Sequence, residues 1–322
     1  MQTLAIFREI SADLKVVERE LDKYVEAKDP LLTETAGHLL RAGGKRIRPA
    51  FALLAGKFFD YDLKKLLPLT VALEIIHMAS LVHDDVVDAS VTRRGRPTVK
   101  AKWGNRISMH TGDFLFGRSL ILISQYEDKR ISQVLSRVSV EMCQGEIQQI
   151  AASFDADQKL RDYFYRIKRK TALLISASCQ LGAVATGAPD NLVRALTKYG
   201  YNLGMAFQIT DDILDMTADE KVLGKPVGGD LRQGIITLPV IYALECSPRR
   251  ERLRELVTKQ VKSEEEVWET ICLIKESGAI ERSFAVAQKY LAKARQELDK
   301  LPNVPTKKTL ARIAKYIGQR KY

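Results

Sequence analysis

Two stretches of the chain each carry three aspartates in the pattern Asp-Asp-x-x-Asp. Asp84, Asp85 and Asp88 lie in LVHDDVVD, and Asp211, Asp212 and Asp215 lie in QITDDILD. On a helix of about 3.6 residues per turn, positions i, i+1 and i+4 share a side, so Asp84 and Asp88 stack one turn apart with Asp85 beside them. Like charges at that spacing destabilise a helix by roughly a few tenths of a kcal/mol per pair. A charge run is usually a solvated helix face, but both of these are embedded in apolar sequence, which argues for a use that repays the repulsion. Carboxylates are hard ligands, and Mg²⁺ takes one or two of them while keeping waters and phosphate oxygens. Two such clusters suit several Mg²⁺ ions around one diphosphate, stabilising its charge as it leaves carbon. An EF-hand is excluded, because neither cluster has the alternating acidic loop with a central glycine and a terminal Glu.

Basic residues accompany the acids. Gly43-Gly44-Lys45-Arg46-Ile47-Arg48-Pro49 sets Lys45 and Arg48 three apart beside a glycine turn, and Arg93-Arg94-Gly95 follows the first cluster after four residues. Arginine forks match phosphate oxygens bidentately, whereas lysine acts as a mobile point charge. A lone Lys or Arg is by default a solvated surface residue; nearness to a metal-type cluster shifts that default for Arg93 and Arg94. His77 lies seven residues before Asp84, on the same helix face, and reads equally as a core histidine or a diphosphate ligand. Lys170-Thr171 precedes a long uncharged stretch and is expected to open a helix whose N-terminus assists anion binding. Lys225 sits in a glycine-rich loop after the second cluster, placed to close over a phosphate.

The elements that must position these groups read as helices. Between Ile10 and Ala27, Leu14, Val17, Leu21 and Val25 recur at three- and four-residue spacing amid charges, and stretches from Leu67, Ile131, Asn191, Ser263 and Ala279 repeat the character. No long run alternates apolar with polar residues, and turn signals are short, as at Gly187-Ala188-Pro189. With 322 residues, no Ser/Pro-rich linker and modest glycine and proline, the expectation is one all-α domain over 1–322. Lys and Arg exceed Asp and Glu by 51 − 40 = 11, which favours anionic partners without choosing among them. Cys143, Cys179, Cys246 and Cys272 are far apart and read as small apolar residues of a reducing compartment. Arg8 and Glu9 interrupt what a secretory leader would need, and Thr171–Ala188, uncharged but diluted by Ser, Gln, Thr and Gly, reads as a buried core helix. A cytoplasmic protein without an integral membrane segment is expected.

Together the motifs GGKRIRP, HMASLVHDDVVD, RRG, GEIQQ, KTA, FQITDDILD and GKPVGGDLRQG-x-x-TLP resemble those of the trans-polyprenyl diphosphate synthases, along essentially the whole chain. The resemblance implies a single large helical bundle of the isoprenoid synthase type with a central cavity. It implies that Asp84 and Asp88 bind Mg²⁺ with Asp85 supporting them, and that Asp211, Asp212 and Asp215 hold the ion or ions on the other side, two or three Mg²⁺ per site. Lys45, Arg48, His77 and Arg94 would hold isopentenyl diphosphate. Arg93, Lys170, Thr171, Gln208 and Lys225 would contact the allylic diphosphate. Finer details, including the closing IAKYIGQRKY, resemble the large catalytic subunit of bacterial two-component heptaprenyl diphosphate synthases. That implies a small partner subunit in a heterodimer, with a homodimer as the other option, and a menaquinone side-chain product. One departure stands out: many relatives have lysine after the glycine of the last motif, where this chain has Ile235, so an allylic-side contact is missing or supplied elsewhere.

In the mechanism so implied, diphosphate leaves an allylic substrate such as farnesyl diphosphate, and the double bond of isopentenyl diphosphate attacks the cation inside an apolar cavity. The departing diphosphate takes the proton, so no dedicated base is needed. With a rise of ~1.5 Å per residue, Ala79 and Ser80 lie roughly 6–8 Å below Asp84 and Ile76 about 12 Å below. Small residues there leave room for a growing tail, so Ala79→Tyr is expected to shorten the product. A different chain length (geranylgeranyl, hexaprenyl or octaprenyl) remains open. A terpene cyclase would carry Asn, Ser or Glu in its second motif and more than 7% aromatics to fold a cation. A non-catalytic chain-length-determining subunit would have lost an aspartate cluster. A nucleic-acid binder is suggested only by charge: the basic run Lys307, Lys308, Arg312, Lys315, Arg320 and Lys321 has no groove-reading or stacking motif beside it. The greasy product leaves room for peripheral membrane contact, without an encoded anchor.

Overall fold

Amphipathic spacing becomes helix after helix in the computed structural model, which describes residues 6–217 and 227–319. A short 3₁₀ turn (Arg8–Ile10) leads into α1 (Ser11–Val25), α2 (Pro30–Arg41), α3 (Ile47–Gly56) and α4 (Leu63–Val87). A two-stranded antiparallel ribbon, β1 (Thr92–Arg93) and β2 (Arg96–Pro97), follows, then α5 (Val99–Ile123) and α6 (Lys129–Ala151). After α7 (Leu160–Ile167) come a π-helical turn (Lys168–Ala172), α8 (Leu173–Ala185) and α9 (Asp190–Thr217). The chain continues through α10 (Gly229–Arg232), α11 (Leu238–Cys246), α12 (Arg250–Thr258), α13 (Glu264–Glu276), α14 (Ala279–Asp299) and α15 (Pro305–Gln319). Each stretch with helical spacing in the sequence is a helix here, and Val17, Leu21 and Val25 form the buried stripe of α1.

Packing divides the chain into two compact units, each assembled from separate stretches of sequence. One collects the described residues of Met1–Arg137, Ser176–Thr197 and Lys300–Leu310; the other collects those of Val138–Ile175, Lys198–Asp299 and Ala311–Tyr322.

In the first unit α4 is the core helix. It is apolar on nearly every side and buried accordingly: Leu66, Leu69, Leu73, Ile75 and Val82 are fully enclosed. Length and composition alone would let it cross a membrane, yet 67% of its most apolar window is buried within the structure. Asp62 caps its start by accepting from Lys64 N at 2.9 Å. Pro68 has no N–H and breaks the ladder one turn later. The Tyr126 hydroxyl repairs the gap, accepting from Leu69 N at 2.8 Å and donating to Lys65 O at 2.6 Å.

The second unit is built on a cluster in which Tyr163, Ile209, Ile213, Leu238, Leu253, Ile274 and Ala287 pack together. Each such side chain stabilises by roughly 1.5–3 kcal/mol on burial. Here one expectation is corrected. Lys170-Thr171 does not open a helix; the two residues sit in the middle of a continuous helical run from Leu160 to Ala185, inside the π turn. No free amides point forward at that place, so an anion there depends on side chains. The wide π turn has another effect, since single-turn π segments frequently mark functional sites.

Candidate active site

The first cluster ends α4. Asp84 and Asp88 are half-buried, and Asp88 N donates back to Asp84 O at 2.8 Å as the helix stops. Asp85 is 2% exposed and takes both Nε and Nη2 of Arg93 at 2.7 Å. The ribbon explains this pairing. Arg94 and Gly95 form its two-residue turn with φ of 52° and 73°, the geometry that joins twisted antiparallel strands most tightly. The hairpin folds Arg93 straight back onto Asp85. The side chain expected to support the metal ligands is thus paired with an arginine, and Arg93 is engaged there.

Arg94 meets the glycine turn that precedes α3. A methyl built on Gly44 would lie 2.8 Å from Arg94 Nη1 and 3.0 Å from Arg46 Nη1, so only glycine lets both guanidinium groups lie against the backbone. Arg46, with left-handed φ and ψ of 46° and 40°, precedes the first residue of α3. Its buried side chain donates to Glu74 Oε1 at 3.1 Å and to Leu40 O at 3.2 Å. Burial pushes Arg48 down to about 10, opposed by Glu74 and reinforced by Arg94. Burial together with Arg48, Arg94, Arg93 and Arg46 holds His77 well below the ordinary imidazole range. The structure therefore gathers Arg48, His77 and Arg94 into one cationic pocket, with Lys45 exposed at its glycine turn. Ile76 and Ala79 are buried, and half-buried Ser80 donates to His77 O at 2.9 Å.

The second cluster lies near the end of α9. Asp211 is half-buried, whereas Asp212 and Asp215 are each 4% exposed. Asp212 Oδ2 accepts from the Tyr163 hydroxyl at 2.7 Å, and its Oδ1 accepts from Gln208 Nε2 at 2.8 Å. Thr171 in turn donates to Gln208 Oε1 at 2.6 Å. Burial lifts Asp212 to about 6, with the two hydrogen bonds pulling against it. Asp215 Oδ2 accepts from Asp230 N at 2.9 Å, so the Gly228-Gly229-Asp230 motif folds onto the cluster. Gly228 has φ of 74°, and a methyl there would fall 2.7 Å from Val267 Cγ1; both facts require glycine. Lys170 Nζ pairs with Glu146 at 2.9 Å, joining the KTA and GEIQQ motifs. Ile235 donates its backbone N–H to Asp230 O at 2.8 Å. Arg232, the nearest cation in sequence, is held by Glu264 at 2.5 Å. Lys225 lies outside the described residues, as do Arg320 and Lys321 of the basic run.

Among the described residues no three His, Cys, Asp or Glu side chains converge closely enough to hold an ion unaided. Each cluster nevertheless carries donors that fit a hard divalent cation shared with a diphosphate: half-buried Asp84 and Asp88 in the first unit and half-buried Asp211 in the second. Mg²⁺ needs only one or two protein carboxylates beside phosphate oxygens. Sequence reading had passed over Arg46, Glu74, Glu146 and Tyr163. Glu74 carried a signal, three residues before His77 on the same face of α4. Tyr163 carried none, its partner lying 49 residues away.

This chain resembles known proteins over most or all of its length. A model of the polyprenyl synthetase family matches residues 29–274. Component 2 of heptaprenyl diphosphate synthase from Bacillus subtilis (strain 168) is 51% identical over 313 residues, covering 97% of this chain and 89% of that protein. The protein of the same name from Geobacillus stearothermophilus is 52% identical over 325 residues, covering 100% of both. A crystal structure of polyprenyl synthase from Caulobacter crescentus CB15, complexed with calcium and isoprenyl diphosphate, matches with a TM-score of 0.94 at 33% identity, over 99% of this chain and 98% of that one. From its motifs, its helical architecture and these full-length likenesses, this chain belongs to the polyprenyl synthetase family.

Proposed function

We propose that this chain is a Mg²⁺-dependent trans-prenyltransferase that condenses isopentenyl diphosphate onto an allylic prenyl diphosphate, with farnesyl diphosphate as primer and heptaprenyl diphosphate as product. The observation that carries the reading is the pair of intact aspartate clusters, one of them beside a pocket of Arg48, His77 and Arg94. Full-length identity above one half to heptaprenyl diphosphate synthase component 2 supports the chain length. The word component in those names supports a second subunit in a heterodimer, the homodimer being the alternative. The family match at 29–274 takes in parts of both packing units, which supports one catalytic domain over 1–322. The product would serve a menaquinone side chain, and the enzyme would work in the cytoplasm with peripheral access to the membrane.

Asp84 and Asp88 on the one cluster, and Asp211 with Asp215 on the other, would be the ligands of two or three Mg²⁺ ions. Bound there, the metal neutralises the charge that develops on the departing diphosphate. Lys45, Arg48 and Arg94 bind the diphosphate of isopentenyl diphosphate. Neutral His77 adds a hydrogen bond without adding charge, since its neighbours are already cationic. Arg93 keeps Asp85 from turning into the cluster, and Lys170, Thr171 and Gln208 orient the allylic diphosphate, with Lys225 closing over it. On this reading Lys170 exchanges Glu146 for phosphate oxygens when substrate binds. Buried Ile76 and Ala79 with Ser80 line the path of the tail.

The test is a product assay with farnesyl diphosphate, labelled isopentenyl diphosphate and Mg²⁺, run with the chain alone and with a candidate small subunit. All-trans heptaprenyl diphosphate that disappears with EDTA is the expected outcome. A cyclised hydrocarbon, or silence under both conditions, would overturn the reading. Ala79→Tyr is expected to shift products to shorter chains; an unchanged length distribution removes Ala79 from the tail path.

A further inference from the structure

Glu74 is a buried carboxylate among the cations of the first unit's pocket, as Asp85 is beside Arg93. It is 2% exposed, on the face of α4 that continues through His77 toward Asp84. Its Oε1 receives Arg46 Nη1 at 3.1 Å, and its Oε2 has no hydrogen-bond partner among the described residues. Nε of Arg46 and Nε of Arg48 are likewise buried without a hydrogen-bond partner, although Arg46 Nε stands 3.6 Å from the exposed Glu18 carboxylate. Buried polar atoms are seldom left so, and three in one place mark a cluster assembled for something other than internal satisfaction. Two of the arginines also sit in left-handed backbone, Arg46 at φ 46° and Arg94 at φ 52°, a conformation that costs a non-glycine residue of order 1–2 kcal/mol. Strain of this kind persists only where the surroundings over-determine it, and functional sites are where it gathers.

Charge accounts for what holds the cluster. Arg46, Arg48, Arg93 and Arg94 surround His77 closely enough to depress its basicity. Asp85 answers Arg93. For Arg48 and for Arg94, Glu74 is the largest attractive influence. Without it, Arg46 and Arg94 would face each other across Gly44, with Arg48 close by, and the buried counter-charge left to them would be Asp85, already paired with Arg93.

We infer that Glu74 is a positioning residue of the isopentenyl diphosphate pocket, a buried carboxylate that assembles Arg46, Arg48 and Arg94 in binding geometry before the substrate arrives. The inference rests on the assignment of that pocket made above. Glu74 itself touches no substrate atom; it acts through the arginines, and Arg46 acts as the strut between it and the glycine turn.

Two effects of removing the carboxylate oppose each other. Loss of a nearby negative charge favours an incoming diphosphate, whereas loss of the anchor lets the arginines separate. The second should win, because the bidentate fit of guanidinium to phosphate depends on geometry and fails with small displacements.

The experiment is equilibrium dialysis of labelled isopentenyl diphosphate, and separately of labelled farnesyl diphosphate, against the full-length chain in Mg²⁺, with thermal unfolding of each variant. Glu74→Gln is expected to weaken isopentenyl diphosphate binding by roughly tenfold or more, the scale of one lost charge-assisted hydrogen bond. Farnesyl diphosphate binding should be unchanged. The double variant Glu74→Leu/Arg46→Met replaces the ion pair with apolar groups. It is expected to recover the unfolding temperature without recovering isopentenyl diphosphate binding, and it carries the test if Glu74→Gln does not fold. Unchanged or tighter binding by Glu74→Gln, or full binding by the double variant, overturns the inference and leaves Glu74 a structural residue. Arg94→Gln separates the two levels: if it binds isopentenyl diphosphate as the parent does, the pocket assignment itself fails.

Discussion

The two aspartate clusters share a sequence pattern but not an environment. In the first, the buried member is neutralised by a cation, Asp85 by Arg93. In the second, the buried member is held by neutral donors, Asp212 by Tyr163 and Gln208, with Asp215 on a backbone amide. The buried acid of the first cluster is therefore ion-paired, whereas those of the second rest on hydrogen bonds from uncharged groups. Burial lifts Asp212 to about 6, against the pull of those hydrogen bonds and of Arg166. The lesson is that an Asp-Asp-x-x-Asp motif specifies a spacing of acids, and the neighbouring elements decide how much of their charge is left for a metal.

The largest effect that could break the contrast is catalytic. Asp84→Ala and Asp211→Ala should each lower turnover on the order of 10²–10³-fold, as expected when an electrostatic stabiliser of a developing anion is removed. Steady-state kinetics across Mg²⁺ concentrations would show it, and near-normal turnover by Asp211→Ala would mean the second cluster is not the metal's.

Stability comes next. Arg93→Gln strands the Asp85 carboxylate, and the loss should fall at the low end of roughly 3–5 kcal/mol, because Arg93 retains 27% exposure. Adding Asp85→Asn should restore much of the unfolding temperature; no restoration would dissolve the pairing on which the contrast depends. Tyr163→Phe removes a hydrogen bond to a charged group in the second cluster and should cost about 1.5–3 kcal/mol. It should also weaken Mg²⁺ binding in a titration with inorganic pyrophosphate present, an effect that a merely structural tyrosine would not produce.

The smallest expected effect is the pH slope that His77 adds on the cationic side. It is opposite in sign to that of Asp212, whose lifted carboxyl favours the folded state below about 6. His77 is depressed in the folded state, so below about 6.5 the unfolded chain binds a proton that the folded chain refuses. Stability is then full above that pH and falls as pH drops, by at most about 1.4 kcal/mol per unit. In thermal melts at several pH values, His77→Gln should flatten the fall, and an unaltered slope would show that the arginines do not bear on it.

Much of the site could be read along the chain because the relevant spacings are local. Asp84 and Asp88 share a helix face by periodicity alone, and the Arg94-Gly95 turn follows Asp88 after five residues. Residues whose partners are distant were illegible. Nothing near Tyr163 or Glu146 announces Asp212 or Lys170, and Lys170-Thr171 looked like a helix start because the charge pattern changes there. The backbone runs through that change as a π turn, a feature that hydrogen-bond registry decides and composition does not reveal.

The sequence by itself determined the helical class, the two acidic faces, the glycine turns and the family, since each depends on residue type at short separation. Only the tertiary structure decided which partners hold the buried carboxylates, Arg93 for Asp85 and Tyr163 with Gln208 for Asp212. It also decided that Tyr126 closes the gap left by Pro68 and that Glu74 stands among the arginines. The reason is electrostatic: a charge's effective strength is set by burial and by partners brought from elsewhere in the chain, and neither exists until the helices have packed.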